Sequence, residues 1–234
     1  MKTTPDIALV VFDMAGTTVH DEGYVSVVFR EALAAAGIAV TAHQVQAVMG
    51  YRKIQAIRML LDQHEARNDL ETRAAAIHED FLERMNTFYA TSPAVREVEG
   101  ASDVFRRLKA AGIRVALDTG FSRSTAEVII GRLGWREHSL VDASVTSDEV
   151  ERGRPHPDML LRIMALTGIE DVRHVAKVGD TPSDLLEGKR AGCGLVVGVT
   201  EGSHTAEQLQ SYPHTHLIAT VADVPALVLS EDVT

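Results

Sequence analysis

The sequence predicts an α/β fold: a Rossmann-like parallel sheet carrying an all-helical insert, or cap, after its first strand. Three observations lead there. Short apolar runs recur along the chain, beginning with residues 7–12, and runs of that length bounded by turn residues read as strands buried on both faces of a parallel sheet. Helical patterns alternate with these runs, as helices covering a parallel sheet do. Between about Gly23 and Tyr89 the alternation stops, and only helical periodicity remains.

The elements follow in order. The first run ends at Asp13, with Gly16 close behind. Val25, Val28, Phe29 and Leu33 fall on one helical face that Gly37 closes. Thr41 with Gln44 starts a second helix, Ile54, Ile57 and Leu61 mark a third, and a longer polar helix is expected over 69–89. A helix from an N-cap at Ser102 to Gly112 turns Val104, Phe105 and Leu108 inward and leads into a strand at 113–117. Ser124 and Glu127 form a capping box for the next helix. A helix from Pro157 to Gly168, a strand at 174–178, a helix from Pro182 to Gly192, and strands at 195–199 and 216–219 complete the series. Residues 1–19 and 95–234 are expected to form the core, and 20–94 the cap.

A chain of 234 residues suits one large domain, or one domain with a smaller insert. The net charge of -10 argues against nucleic acid or an anionic membrane as the main partner. An acidic protein that handles an anion must gather positive charge locally. Cys193 is the sole cysteine, which excludes an intrachain disulfide. Residues 1–6 are short and polar, unlike a signal peptide, and no apolar run approaches the ~20 residues that span a bilayer. A soluble, cytoplasmic protein is expected.

In a parallel sheet, ligands bind beyond the carboxyl ends of the strands. Polar clusters stand at such ends or at helix starts: Asp13-Met14-Ala15-Gly16-Thr17-Thr18, Asp118-Thr119-Gly120, Gly153-Arg154-Pro155, and Gly179-Asp180-Thr181-Pro182-Ser183-Asp184. Singly, each reads as an ordinary turn or helix cap; together they read as a site. Asp13 is a carboxylate nucleophile, which needs an electrophile with its negative charge neutralised. Asp13 and Asp180 can share Mg2+, a hard cation that prefers oxygen ligands. Asp184 is spaced to hold a metal-bound water or to orient Asp180. Thr119, backbone N–H groups and Arg154 can hold the remaining phosphoryl oxygens.

These motifs resemble the haloacid dehalogenase superfamily over essentially the whole chain, and within it the phosphonoacetaldehyde hydrolases, or phosphonatases. The first cluster, Met49-Gly50 followed by Lys53, Gly153-Arg154-Pro155 with Pro157, and Lys177 to Thr181 followed by Ser183-Asp184 carry the likeness. The resemblance implies an aspartyl-phosphate on Asp13. It implies magnesium held by Asp13, the carbonyl of Ala15, and Asp180 with Asp184. Substrate would lie against Ala15, Gly16, Met49, Gly50, Gly120 and Phe121, and two copies would pair through their caps as a homodimer.

Ala15 is the decisive position. Phosphatases of this superfamily carry an Asp there that protonates the leaving alkoxide, and a methyl group cannot transfer a proton. In phosphonatases a Lys amine condenses with the substrate aldehyde, and the iminium accepts the electrons of the C–P bond. Lys53 occupies that position. Taken alone, a Lys in the first turn of a surface helix is solvated or touches phosphate; beside Met49-Gly50 and Ala15 it reads as the Schiff-base residue. The family's His is Ala56 here, and its Tyr is Phe121. The expected substrate is a small phosphonate bearing an aldehyde. The alternative is a phosphate-monoester phosphatase acting on a small phosphorylated metabolite. His156 reads as part of a helix start, His214 and His216 lack further ligands, and Cys193 and Trp135 read as packing.

Overall fold

The computed structural model describes residues 6–63 and 69–229, so the expectation for the first five residues lies outside it. The chain runs through β1 (Leu9–Asp13), α1 (Tyr24–Ala35), α2 (Ala42–Gln46), α3 (Lys53–Gln63), α4 (Leu70–Thr91), α5 (Ala101–Ala110), β2 (Arg114–Thr119) and α6 (Arg123–Arg132). It continues through β3 (Ala143–Thr146), α7 (Asp158–Thr167), β4 (Val175–Gly179), α8 (Pro182–Ala191), β5 (Leu195–Val199), α9 (Ala206–Leu209), β6 (His216–Ile218) and α10 (Val224–Val228). The sheet order is β3-β2-β1-β4-β5-β6, and every neighbouring pair is parallel.

β1 shows why its sequence is apolar throughout. Strand side chains alternate between faces: Val10 and Phe12 enter the larger core, while Leu9 and Val11 enter a second core with Met159, Leu160 and Ile163 of α7. Both faces are covered, so no position in the strand has to be polar until Asp13. The strand order turns back on either side of β1, which opens a crevice beyond its carboxyl end. Asp13 pairs in register with Asp118, and Phe12 with Val178, so the ends of β1, β2 and β4 deliver their loops to one place.

The insert is all-helical. Within this cap α1 and α3 pack on α4, and α4 in turn packs on α6 of the core. Phe29 and Phe81 meet with ring centroids 4.7 Å apart, and the larger core runs without a break from Phe12 and Phe105 into these rings. Trp135 is fully buried against Phe105, and half-buried Cys193 packs beside the cores. Among the described residues no helix is long and apolar enough to cross a membrane.

The structure departs from the sequence reading in several places, among them the short helices α9 and α10, which were not expected. β3 was not expected: Ala-Ser-Val-Thr is a short edge strand, half-exposed at its start, and is no apolar run. α5 begins two residues early, after Gly100 in the left-handed region (φ 83°), because Ser102 turns its hydroxyl to Glu97 instead of capping. Ser122, not Ser124, caps α6, and Glu127 pairs with Arg123 at 3.0 Å and with Arg136. The Thr41–Gln44 capping box and the Gly168 and Gly192 caps are as read.

α8 lies close on the sheet at Gly188. A Cβ there would stand 2.9 Å from Lys177 Cβ and 3.1 Å from Val196 Cγ2. Gly188→Ala should therefore lower stability by roughly 1–3 kcal/mol, although alanine is the better helix former. Urea unfolding measures this, and a midpoint equal to or above wild type would contradict the close approach.

Candidate active site

Asp13 ends β1, and the next residues fold into a tight loop. The N–H groups of Thr17, Thr18 and Val19 all donate to the Met14 carbonyl, and Thr18 Oγ1 donates to the Asp13 carbonyl at 2.8 Å. Gly16 takes φ 87°, and a Cβ on it would run into the Asp180 carboxyl, so only glycine fits. Asp180 Oδ1 accepts from Thr17 Oγ1 at 3.1 Å, and Oδ2 accepts from the Ser203 N–H and hydroxyl, each at 2.6 Å.

Behind Asp13 lies a buried charge cluster. Arg154 is wholly buried; its Nη2 donates to Asp13 Oδ1 at 2.6 Å and to Asp118 Oδ1 at 2.9 Å. Its Nη1 stands 2.6 Å from Asp184 Oδ1, and its Nε 3.4 Å from Glu187 Oε2. Lys177 Nζ donates to Asp118 Oδ1 and lies 3.1 Å from Asp184 Oδ1 and 3.3 Å from Glu187 Oε2. Asp13, Asp118, Asp180, Asp184 and Glu187 are all buried and outnumber these two cations.

The imbalance shows in the protonation equilibria. Burial pushes the Asp13 carboxyl up to about 7 against the pull of Arg154, and the charges of Asp184 and Asp180 add to the rise. Burial, then Asp184, raises Asp180 to about 6. Burial would raise Asp184 too, but Arg154 and Lys177 outweigh it and hold that carboxyl low. Glu187 is driven well above the usual carboxylate range by burial and then by Asp118. Oxygens of Asp13, Asp118 and Asp184 lie within 4.8 Å of one another. Crowded, hard, buried oxygens with residual negative charge fit a divalent cation.

Several predicted residues sit where expected but are differently engaged. Arg154 does not wait as a free phosphoryl ligand; it is held by four carboxyl groups, Asp13 among them. Asp184 does not hydrogen-bond Asp180: its Oδ2 accepts from the Thr181 N–H (3.2 Å) and hydroxyl (2.5 Å), and its Oδ1 faces the two cations. Thr119 Oγ1 accepts from the Phe121 N–H at 3.1 Å, which leaves its own proton free to donate. Asp118 and Lys177 were named only as parts of motifs, with no role assigned, and Glu187 was missed. The signal for Lys177 was present: a lysine inside a strand that is otherwise apolar on both faces must be paired.

The cap closes this cluster from above. Gly50 takes φ 81°, and a Cβ there would strike the Ser183 and Thr181 hydroxyls. A Cβ on Gly120 would lie 2.6 Å from the Tyr51 carbonyl and 3.0 Å from that of Gly50. Gln46 Nε2 donates to the Ser203 carbonyl at 2.9 Å, which ties α2 to the loop after β5. Met49, Gly50, Gly120 and Phe121 thus meet where the cap touches the core, near half-buried Ala15 and Gly16.

Lys53 opens α3 but is not solvated. It is buried, with Nζ 5.7 Å from the Phe29 centroid and 5.2 Å from that of Phe121. Burial first, and Arg154 in addition, lower its pKa to about 8, while Asp13, Asp21 and Asp180 oppose. A depressed amine costs stability when charged. Between pH 8 and 10.5 the unfolded chain holds a proton that the folded one has shed, so stability rises with pH across that window and is lowest below it. Lys53→Met should therefore raise the unfolding free energy at neutral pH by up to about 3 kcal/mol and flatten the alkaline rise. Denaturant titrations at neutral and alkaline pH check this, and a less stable variant at neutral pH would contradict it.

Comparison with known proteins agrees with this geometry. Residues 7–192 match the haloacid dehalogenase-like hydrolase family. The chain is 29% identical over 222 residues to a phosphonoacetaldehyde hydrolase of Bacillus cereus (strain B4264), covering 90% of this chain and 84% of that relative. A phosphonoacetaldehyde hydrolase-like protein from Oleispira antarctica superposes with TM-score 0.79 at 23% identity, over 96% of this chain and 92% of that one. A predicted phosphoglycolate phosphatase from Haemophilus somnus 129PT superposes with TM-score 0.77 at 20% identity, over 96% and 99%. These two structural likenesses speak for the fold. With residues 7–192, most of its length, matched, the chain belongs to the haloacid dehalogenase-like hydrolases.

Proposed function

We propose that this hydrolase breaks the C–P bond of a small phosphonate bearing an aldehyde, with Mg2+ as its cation. The observation that carries the reading is a pairing. Ala15 leaves no carboxyl beside the nucleophile to protonate an alkoxide, while the cap buries an amine with a depressed pKa, Lys53, above the same nucleophile. That combination suits a carbon leaving group and an imine. The phosphonoacetaldehyde hydrolases among its relatives support it. A phosphate-monoester phosphatase is the weaker reading, because Ala15 would leave the departing oxygen without its acid.

In this mechanism Lys53 condenses with the aldehyde, and Asp13 attacks phosphorus as the C–P electrons move into the iminium. Water then hydrolyses the aspartyl-phosphate to phosphate and, after protonation of the enamine carbon, the imine to free aldehyde. Arg154 fixes the Asp13 carboxylate through its 2.6 Å hydrogen bond and offsets the negative charge gathered there. The Thr119 hydroxyl, whose proton is free, and the Gly120 N–H would hold the phosphoryl oxygens. Asp13, Asp180 and the Ala15 carbonyl are the oxygens proposed for magnesium, with Asp184 behind them, and the cation would neutralise phosphonate charge. The core is proposed to span 1–19 and 95–234, with 20–94 excluding water from the imine.

Phosphate and aldehyde release should be scored separately for phosphonoacetaldehyde and for a set of small phosphate esters. C–P cleavage should dominate, and Lys53→Arg, which keeps the charge but cannot form the imine, should abolish it. Faster ester hydrolysis, or substantial C–P cleavage by Lys53→Arg, would overturn the proposal.

A further inference from the structure

The two oxygens of the buried Asp180 carboxyl are held unequally. Oδ2 accepts from the Ser203 N–H and from the Ser203 hydroxyl, each at 2.6 Å. Two oxygens that close must share a proton, and the hydroxyl supplies it to the carboxylate. Buried His204 then donates from Nδ1 to Ser203 Oγ at 3.2 Å, which fixes the direction of that hydroxyl. A carboxylate oxygen has two lone pairs to offer, so Ser203 alone fills Oδ2. Among the described residues, the side chain bonded to Oδ1 is Thr17, whose Oγ1 donates at 3.1 Å, and one lone pair of Oδ1 stays open.

Packing shuts the same edge. A Cβ on Gly202 would strike Asp180 Cβ and stand 2.5 Å from both Oδ2 and the Gly16 carbonyl oxygen, and a Cβ on Gly16 would strike Oδ2. The loop after β5 therefore lies flush on Asp180, with no space for an ion at Oδ2. Divalent ions differ in what they ask of such a group. Mg2+ demands near-ideal octahedral geometry, which a carboxylate gripping with both oxygens distorts. Ca2+ takes about six to eight oxygens and accepts carboxylates through one oxygen or both. A carboxylate closed at Oδ2 suits the first and denies the second an oxygen.

The cap holds the loop that does this. Gln46 Nε2 donates to the Ser203 carbonyl at 2.9 Å, and among the described residues no other side chain of α2 hydrogen-bonds the core. The bond borders a cavity of about 410 Å³ that Asp21, Gln46, Met49, Gly202 and Ser203 help to line, so this seam between cap and core has room for water beside it.

We propose that Ser203 is a positioning residue of the cation site: it closes Asp180 Oδ2, presents Oδ1 as the single ligand oxygen and so favours Mg2+ over Ca2+, while Gln46 of the cap holds the Ser203 loop in place. The inference rests on the reading of Asp180 as a cation ligand. The competing explanation is that Ser203 only pins the loop after β5 to the end of β4. Selectivity separates the two. A slack loop weakens every ion alike, whereas a reopened Oδ2 penalises Mg2+ and spares Ca2+.

The test is calorimetric titration of the full-length, metal-free protein with Mg2+ alone and with Ca2+ alone. Ser203→Ala, which frees a lone pair of Oδ2, should bind Mg2+ at least ~10-fold more weakly and lose far less affinity for Ca2+. Ser203→Cys, a weak donor of similar size, gives the same comparison if the Ala variant does not fold. Ser203→Thr keeps both donors and should retain the wild-type preference. Gln46→Leu should shift the preference as Ser203→Ala does, by ~5-fold, the worth of one neutral hydrogen bond. A wild-type ratio of the two affinities in Ser203→Ala, whether both ions bind as before or both bind worse, would overturn the proposal and leave Ser203 a loop anchor. Equal loss of preference in Ser203→Thr would trace the effect to side-chain fit instead of the hydroxyl and overturn it as well. A Gln46→Leu protein with the wild-type preference would overturn the cap's part. Wild-type protein that binds neither ion, or Asp180→Asn that binds Mg2+ as wild type does, would sink the reading of Asp180 and this inference with it.

Discussion

The Arg154 guanidinium is the contact on which the rest of the site depends. It is buried without access to water, and it joins Asp13 at the end of β1, Asp118 at the end of β2, and Asp184 and Glu187 on α8. Ion pairs so deeply buried are poor stabilisers, because desolvation cancels much of the attraction, yet losing one partner strands the others at a cost of about 3–5 kcal/mol. What the arrangement secures is placement. In the role proposed for it, the Asp13 carboxylate gains from being held at one angle before substrate arrives, and Arg154 provides this by gripping Asp13 and Asp118 with the same nitrogen.

The same cluster explains the electrostatics above it. Lys177 and Arg154 cannot neutralise all the carboxyl groups around them, so Asp13 and Asp180 stay raised to about 7 and about 6. A divalent cation would bring them back into the carboxylate range. In this way a chain of net charge -10 can accept an anion: its positive charge is concentrated at one point and sealed under the cap. Lys53 sits on the other side of that balance. Burial, with Arg154 in addition, pulls its pKa down to about 8, and the carboxylates Asp13, Asp21 and Asp180 prevent it from falling further.

Much of this was legible in the sequence. The apolar runs of β1 and β5 could only be strands with both faces covered, and Gly168 and Gly192 marked helix ends because few other residues adopt that conformation. Asp13, Asp180 and Lys53 could be singled out because their neighbours are loop residues at strand ends or helix starts. β3 escaped because half of it is Ser and Thr at a sheet edge, where pairing rather than hydrophobicity makes the strand. The pairing of Asp118, Lys177 and Glu187 escaped because it joins residues up to 59 positions apart, as between Asp118 and Lys177, and no local pattern encodes it. For Asp184 the spacing from Asp180 suggested a place beside that residue. Its partners are set by the helix cap and by Arg154, neither of which spacing can specify.

The buried carboxyl groups carry more negative charge than Arg154 and Lys177 neutralise, by an amount that a divalent ion would make good. Thermal and denaturant unfolding of wild type and Asp180→Asn, each with and without Mg2+, tests it without relying on turnover. Mg2+ should stabilise wild type progressively, by about 2.7 kcal/mol at a hundredfold excess over its dissociation constant. Asp180→Asn should be more stable than wild type without metal and gain little when metal is added. A wild-type midpoint that Mg2+ leaves unmoved, together with a destabilised metal-free Asp180→Asn, would contradict it.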